Sequence, residues 1–335
     1  MVKQAGLRFL ALACLSIIFV PHSSFAAREK YSLPELEMPI RIVVNPKFIA
    51  IEDDAVVKMY DSKNFQYMKS VGRKGQGPGE FQDEAFPWMS SESLLVNSSN
   101  KISFFNFNGD LINEIKHPLG YPLYPINGHY LGYFWNLREG YASCILYDSA
   151  FKPLKELDRG KGMFDRNTRR WELFEIFFYS INRDKIVVAN RDGSGISIFD
   201  DRGNLTALIK PKYSPPHFTA TDKANVTTYW TDVLKWPKSY LEGRIKNTKF
   251  PENFPPVLTC RLDDDHVYIV TYEKKGHHYL YFKYDYAGSE IKRAYLPLEM
   301  TAPHVSVPFD IYGDKLYQLV FNMESDKWEL IVDDI

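Results

Sequence analysis

The stretch VGRKGQGPGEF, Val71 to Phe81, places Gly72, Gly75, Gly77 and Gly79 within eight residues. Loops that cradle phosphates share this glycine density with loops that only turn sharply, and telling them apart decides the fold. A phosphate loop of the G-x-x-x-x-G-K-[ST] type needs lysine and a hydroxyl residue directly after its last glycine. Here Gly77 is followed by Pro78 and Gly79, and Gly79 by Glu80 and Phe81. A dinucleotide loop opens a helix, whereas FQDEAFPWMSS downstream has no helical period. The stretch therefore reads as a tight connection between two strands, FQYMKSV before it and FPWMS after it. Its glycines permit sharp backbone turns and Pro78 fixes one φ. Glu80 is placed to accept backbone N–H groups, and Phe81 to wedge between neighbouring units.

What those units are follows from a repeat. An aromatic residue, then Asp or Asn, then Gly or Asn three residues on recurs as YDSKN (Asp61), FNFNG (Asn106), FDDRG (Asp200) and YDYAG (Asp285). YDSAF (Asp148) lacks the glycine, and VDD (Asp333) stops at the chain end. Short alternating apolar runs precede each one, as half-buried strands do. The Asp or Asn is expected to bond its own turn and the glycine to supply positive φ. The intervals between the Asp/Asn positions are 45, 42, 52, 85 and 48 residues. They mark six units of about forty-odd residues, the period of a propeller built from four-stranded blades. A six-bladed β-propeller is expected, with one insertion between blades 4 and 5. The sixth unit ends before its outermost strand. EMPIRIVVN, Glu37 to Asn45, has strand character without a partner in its own unit, so it is expected to close the last blade and remove an open edge.

GRKGQGPGEF resembles the linker of NHL-repeat propellers, and more closely that of bacterial exported proteins known only as six-bladed β-propellers. The resemblance covers the loop closely and the blade period over about residues 37–335. It implies the fold rather than an activity. NHL-type propellers bind proteins or RNA, and one branch is a zinc-dependent lyase. The full loop occurs once here, and DRGKGMF, Asp158 to Phe164, is a degraded copy.

The N-terminus carries Lys3 and Arg8, the apolar run Phe9–Val20, and then Ser24-Phe25-Ala26. This is the order of a secretory signal peptide, with cleavage expected after Ala26. Lipoprotein anchoring through Cys14 is the less favoured alternative. The mature chain, 27–335, is expected to be exported to the periplasm or beyond, without a transmembrane segment and as a monomer. Of the chain's 41 basic and 42 acidic residues, two basic ones precede residue 27, leaving a formal charge of −3. That balance argues against general nucleic-acid affinity. Cys144 and Cys260 fall two blades apart and are expected as buried free thiols.

The insertion, residues 211–256, reads as a helical cap. Val226, Tyr229, Trp230, Val233 and Leu234 share one helical face, with Thr221 and Asp222 as candidate caps. YWTD at 229–232 stands once, on helical spacing, unlike the strand motif of receptor propellers. The blade 3–4 linker LDRGKGMFDRNTRRW carries Arg159, Lys161, Arg166, Arg169 and Arg170. Like the insertion, it joins an outer strand to the next inner strand, so both should emerge on one face. Arg166, Arg169, Arg170, Trp171, Tyr229, Trp230 and Trp236 are therefore candidate ligand-binding residues, and aromatic plates beside cations suit an acidic glycan or an acidic protein surface. No H-E-x-x-H or G-x-S-x-G occurs, and Gly193-Ser194-Gly195 falls in an expected hairpin. No cofactor is expected. Zinc on His129, His217 and His304, or calcium at Asp263-Asp264-Asp265, are the alternatives. The favoured function is a non-catalytic binding module of the cell envelope, with a glycan or protein partner. The alternative is a metal-dependent lyase or lactonase working at the central channel.

Overall fold

The repeated Asp or Asn closes the same kind of turn in five units. Asp61 accepts the N–H groups of Lys63 (2.9 Å) and Asn64 (3.1 Å), and Asp200 those of Arg202 (3.0 Å) and Asn204 (2.7 Å). Asn106, Asp148 and Asp285 bond downstream N–H groups in the same way. Gly109, Gly203 and Gly288 follow with φ of 80°, 73° and 87°. Where the glycine is missing, a phenylalanine takes the left-handed conformation instead, Phe151 at 60° and Phe65 at 58°. That geometry costs an L-residue roughly 1–2 kcal/mol, which the Asp-bonded turn offsets.

These turns join the strands of an all-β, propeller-like architecture. The computed structural model describes residues 28–335 except Asp83, Ser91, Ser99, Gly120, Leu137, Met163, Arg166, Asn167, Glu175, Ile176, Arg191, Asp192 and Ser194. Residues 1–27, which hold the expected leader and Cys14, the candidate site residue Arg166 and the hairpin residue Ser194 thus lie outside the described residues. Among the described residues there are six four-stranded antiparallel sheets. Sheet 1 runs from Pro39–Val44 to Tyr67–Val71, sheet 2 from Phe86–Met89 to Leu111–Lys116, and sheet 3 from Leu123–Ile126 to Pro153–Lys161. Sheet 4 runs from Phe177–Asn182 to Leu205–Ile209, and sheet 5 from Thr259–Leu262 to Glu290–Leu296. Sheet 6 holds Phe309–Tyr312, Lys315–Asn322, Lys327–Asp334 and, as its fourth strand, Glu29–Ser32.

The last pairing corrects a sequence expectation. Pro39–Val44 pairs with Phe48–Asp53 and is the first strand of sheet 1. The strand on the edge of sheet 6 is Glu29–Ser32, in register from Glu29 with Val332 to Ser32 with Glu329. Arg28 secures it through Glu299 (3.2 Å) and Asp333 (3.5 Å). EKYS is too polar and too short to announce a strand. It forms one because Lys327–Asp334 offers it an unpaired edge.

The central strands bury both faces. On Phe48–Asp53, Ile49 and Ile51 pack with Tyr317, Leu319, Leu330 and Val332 of sheet 6. The intervening Ala50 packs with Leu94, Val96 and Phe105 of sheet 2. Equivalent clusters join sheets 2 and 3, 3 and 4, 4 and 5, and 5 and 6. Buried polar side chains reinforce the seams. Glu52 accepts the Ala85 N–H (2.9 Å), Asn97 that of Leu123 (3.2 Å), Gln318 that of Glu299 (2.8 Å) and Asp310 that of Val44 (2.8 Å). Cys144 and Cys260 are buried in sheets 3 and 5 and are not joined in a disulfide.

The glycine loop bridges sheets 1 and 2. Arg73–Lys74 pairs in parallel with Glu80–Phe81. Glu80 accepts the Gly77 N–H (2.8 Å) and bonds Arg73 Nε (2.6 Å), which together hold its carboxyl below the ordinary range. Phe81 is fully buried in the seam between the two sheets. Buried Lys101 reaches the Gly77 carbonyl (2.9 Å), and Glu114 accepts the Gly79 N–H (2.9 Å). The strictest requirement for glycine falls on Gly72 rather than Gly77. Gly72 has φ 76°, and an added Cβ would stand 2.4 Å from the Phe81 ring, whereas at Gly77 it would meet only the Glu80 carboxylate, at 3.0 Å.

Two stability outcomes follow from this packing. Gly72→Ala should lower stability by about 2–4 kcal/mol through combined backbone strain and displacement of a buried ring, and Gly77→Ala by roughly 1 kcal/mol or less. Urea unfolding of both variants checks the order. Deleting residues 27–32 should cost several kcal/mol or abolish folding, because it strips the pairing from one edge of sheet 6. A truncated chain that melts with the parent would contradict this.

Candidate functional site

The insertion between sheets 4 and 5 contains α1 (Ala220–Thr228), a π-helical turn (Tyr229–Val233) and α2 (Lys238–Lys246). Thr219, two residues before the candidate Thr221, is the N-cap, and the other candidate, Asp222, completes its capping box. The Thr219 hydroxyl accepts the Asp222 N–H (3.2 Å) while Asp222 accepts the Thr219 N–H (2.8 Å), a reciprocal capping box. Val226 and Trp230 are buried, but Val233 and Leu234 are exposed. The π turn adds a residue per turn and rotates those last two off the packed face. YWTD accordingly sits on the π turn rather than on a strand.

After α2 the chain joins the linker between sheets 3 and 4. Arg170–Glu172 pairs in parallel with Thr248–Lys249, and the Trp171 N–H donates to the Asn247 carbonyl (2.7 Å). This pairing brings Trp171 towards the insertion. Trp230 and Trp236 stack at 5.5 Å, and Tyr240 meets Trp236 edge-on at 5.1 Å. The Arg244 guanidinium lies 5.6 Å from the Trp171 ring centre and 5.9 Å from that of Trp230. His304, from the hairpin between sheets 5 and 6, meets Tyr229 at 5.6 Å and Trp230 at 6.1 Å. Burial, with Arg244 nearby, pushes the His304 pKa down to about 4. Of the candidate residues, Trp171, Tyr229, Trp230 and Trp236 thus come together, and Arg169 and Arg170 are exposed beside Trp171. Arg159 instead pairs with Glu156 (2.6 Å) over the Tyr141 ring. Sequence offers His304 only as a zinc candidate and gives no signal for Arg244 on α2, because the tryptophan that each meets belongs to a different segment of the chain.

A second concavity lies among the first strands. Residues from the first strands of all six sheets line one cavity of about 1030 Å³. Two similar arginine devices stand in its wall. Arg41 pairs with buried Glu52 and covers the Phe86 ring at 3.7 Å. Arg261 lies 3.6 Å from Asp310 and 4.6 Å from the Phe309 ring centre. Burial raises the Asp310 pKa to about 6 despite Arg261 and two backbone N–H donors. Trp88, Tyr124 and Tyr179 supply ring faces, Tyr124 meeting Tyr179 at 5.8 Å. Burial pushes the Tyr124 hydroxyl up, so it stays a neutral donor.

The metal alternatives read from sequence take other shapes. His217 forms a β-bridge with Asn253, His129 opens a strand of sheet 3, and His304 lies under the cap. Among the described residues no three His, Cys, Asp or Glu side chains converge. Asp263 accepts N–H groups of Asp265 (2.9 Å) and His266 (2.8 Å) and the Tyr268 hydroxyl (2.7 Å), while Asp264 pairs with Arg183 (2.8 Å). These carboxylates close a turn and clasp neighbouring elements.

No protein-family model matches the chain, and no curated protein sequence matches it. Solved structures do. A candidate exported protein from Bacteroides fragilis aligns at 12% identity and a TM-score of 0.51, covering 92% of this chain and 95% of that one. A member of the DUF4221 family from Bacteroides vulgatus aligns at 12% identity and a TM-score of 0.51, covering 93% and 98%. The WD40 domain of Neurospora crassa Pan2 aligns at 9% identity and a TM-score of 0.44, covering 89% and 90%. At 12% identity the first two likenesses are of fold alone. No helix among the described residues is long and apolar enough to cross a membrane.

The half-buried His304, whose pKa is lowered, gives the stability curve a definite sign. Its folded pKa of about 4 lies below the unfolded value. Its contribution is therefore present above about pH 6.5 and lost as pH falls towards 4, a change on the order of 1–3 kcal/mol. Asp310 acts oppositely, so the diagnostic is the difference between variant and parent. His304→Phe should lose less stability than the parent between pH 7 and 4, as read by denaturant midpoints. Parallel curves would contradict the assignment.

Proposed function

We propose that the chain is an exported, closed six-bladed β-propeller, with residues 27–335 as the mature domain and 211–256 as its cap, and that it serves as a non-catalytic binding module for an acidic glycan of the cell envelope. Packing of each sheet on the next, and of sheet 6 on sheet 1, supports the closed ring. The NHL-like loop, the leader and the likeness to a candidate exported protein support export. The observation that carries the binding reading is the cavity of about 1030 Å³ whose wall alternates aromatic rings with two stacked arginines. Its size is at the upper end of small-ligand sites. Ring faces cover the C–H surfaces of a sugar. Guanidinium groups and the Tyr124 hydroxyl donate to carboxylates and ring hydroxyls. Exposed Arg169 and Arg170 would draw an acidic polymer towards the adjoining face, through an attraction that salt screens.

Calorimetric titration of the mature protein with trigalacturonate, against maltotriose as the uncharged control, tests this. We expect binding of the acidic trisaccharide only. Tyr124→Phe should weaken it by about 3–10-fold, the value of one hydrogen bond, with the melting temperature unchanged. No heat with trigalacturonate, or equal affinity for maltotriose, would overturn the ligand class.

A further inference from the structure

The cavity wall cancels most of the positive charge it could offer an acidic ligand. Of the four cations that line it, Arg41 faces Glu52, Arg183 faces Asp264 (2.8 Å) and Arg261 faces Asp310 (3.6 Å). Lys47 alone has no acid partner among the described residues. An anion entering the cavity therefore competes with carboxylates already present.

The Arg261 pair is built so that this competition can be relieved. Its guanidinium does not depend on Asp310 for its position. Nε donates to the Phe309 carbonyl (3.3 Å), and Nη1 donates to Thr259 Oγ1 (2.7 Å) and to the Cys260 carbonyl (3.0 Å). Nη2 makes no hydrogen bond among the described residues, and the side chain is 31% exposed in the cavity wall. A fixed guanidinium with one free donor is prepared for a planar oxyanion.

The counter-charge, by contrast, is buried. Asp310 accepts the Val44 N–H (2.8 Å) from sheet 1 and the N–H of its neighbour Ile311 (2.9 Å). Arg261 and Asp263 act on it from sheet 5, and Asp263 in turn meets His266 Nδ1 at 3.1 Å. Tyr317 stands opposite on the next strand of sheet 6. Burial strips a carboxylate of hydration that one cation at 3.6 Å does not fully replace. It pushes the Asp310 pKa up to about 6, with Asp263 adding to the rise. Among the described residues no histidine lines the cavity.

Building on the binding function proposed above, we propose that proton uptake by Asp310 strengthens the cavity's hold on an acidic ligand, by removing the counter-charge of Arg261 while its other hydrogen bonds keep the guanidinium in place. The sign is definite. Ionised Asp310 competes with a ligand carboxylate for Arg261, and neutral Asp310 does not. Affinity therefore rises as pH falls through the range in which Asp310 takes up its proton. By the same linkage a bound carboxylate makes Asp310 harder to ionise, so binding near pH 6 draws a proton from solution. For an exported protein the pH that matters is that of the surrounding medium.

Calorimetric titration of the mature protein with trigalacturonate at pH 5 and pH 7.5, at matched ionic strength, reads the effect, because the ligand is ionised at both values. Binding about 3–10-fold tighter at pH 5 is expected, the effect of one nearby charge facing a partly solvated site. At pH 6, the binding heats of the parent in two buffers of different ionisation enthalpy should differ and report proton uptake. Asp310→Asn should bind equally well at both pH values and take up no proton. Should Asp310→Asn fail to fold, proton uptake by the parent decides. Equal affinity at the two pH values, tighter binding at pH 7.5, no proton uptake by the parent, or an Asp310→Asn protein that keeps the pH dependence overturns the proposal and leaves the ligand class standing. No binding of trigalacturonate at either pH overturns the ligand class, and this regulation with it.

Discussion

Pairing between Glu29–Ser32 and Lys327–Asp334 joins the two ends of the described chain, and the stacking of sheets depends on it. A four-stranded sheet with two apolar faces is stable only when both faces are covered. Sheets 2 to 5 meet that need through their sequence neighbours. Sheets 1 and 6 each cover one face with a sequence neighbour and the other with each other, in the seam of Ile49, Ile51, Leu319 and Leu330. Bringing those distant segments together costs chain entropy, which grows slowly with loop length. The paired strand ends, the Arg28 ion pairs and the Asp310 bond to Val44 offset that cost at one place.

Conflict between local preference and global fit is confined to a few turns. Phe65 and Phe151 accept positive φ because the Asp-bonded turn and ring contacts reward it, Phe151 lying 4.8 Å from Tyr130 and Phe65 4.2 Å from Tyr31. The glycine loop shows the reverse arrangement. There the backbone is permissive and the specificity lies in Glu80, Lys101 and Glu114, whose charges are spent on loop N–H and C=O groups. Surface ion pairs such as Lys74 with Asp54 add little to it.

The cap and the cavity use the same materials differently. In the cavity wall each arginine is matched by a carboxylate and covers a phenylalanine, so the guanidinium partly serves as a structural plate. Under the cap the plate is tryptophan and the carboxylate is missing. The difference arises from position. Arg41 and Arg261 lie on first strands next to strands that carry Glu52 and Asp310, whereas Glu172, on the strand that carries Trp171, is paired with Lys249.

The chain's order of residues determined the repeat, the number of strand units, the turn chemistry and the place of the insertion, because each rests on contacts between residues close in sequence. Asp61, Asn106, Asp148, Asp200 and Asp285 could be read directly, and so could the structural reading of Gly72–Phe81. Sequence also indicated that Trp171, Tyr229, Trp230 and Trp236 share a region, since linkers of one topological kind leave a sheet on one side. Tertiary structure alone decided which N-terminal segment joins sheet 6. EKYS and PIRIVV are both short, and the choice depends on which edge is open when each arrives. It alone decided that Gly72 rather than Gly77 faces the buried ring. It alone placed Arg244 of α2 and His304 of the hairpin before sheet 6, some sixty residues apart, against the same tryptophan, because only the packing of the insertion on that hairpin brings them together.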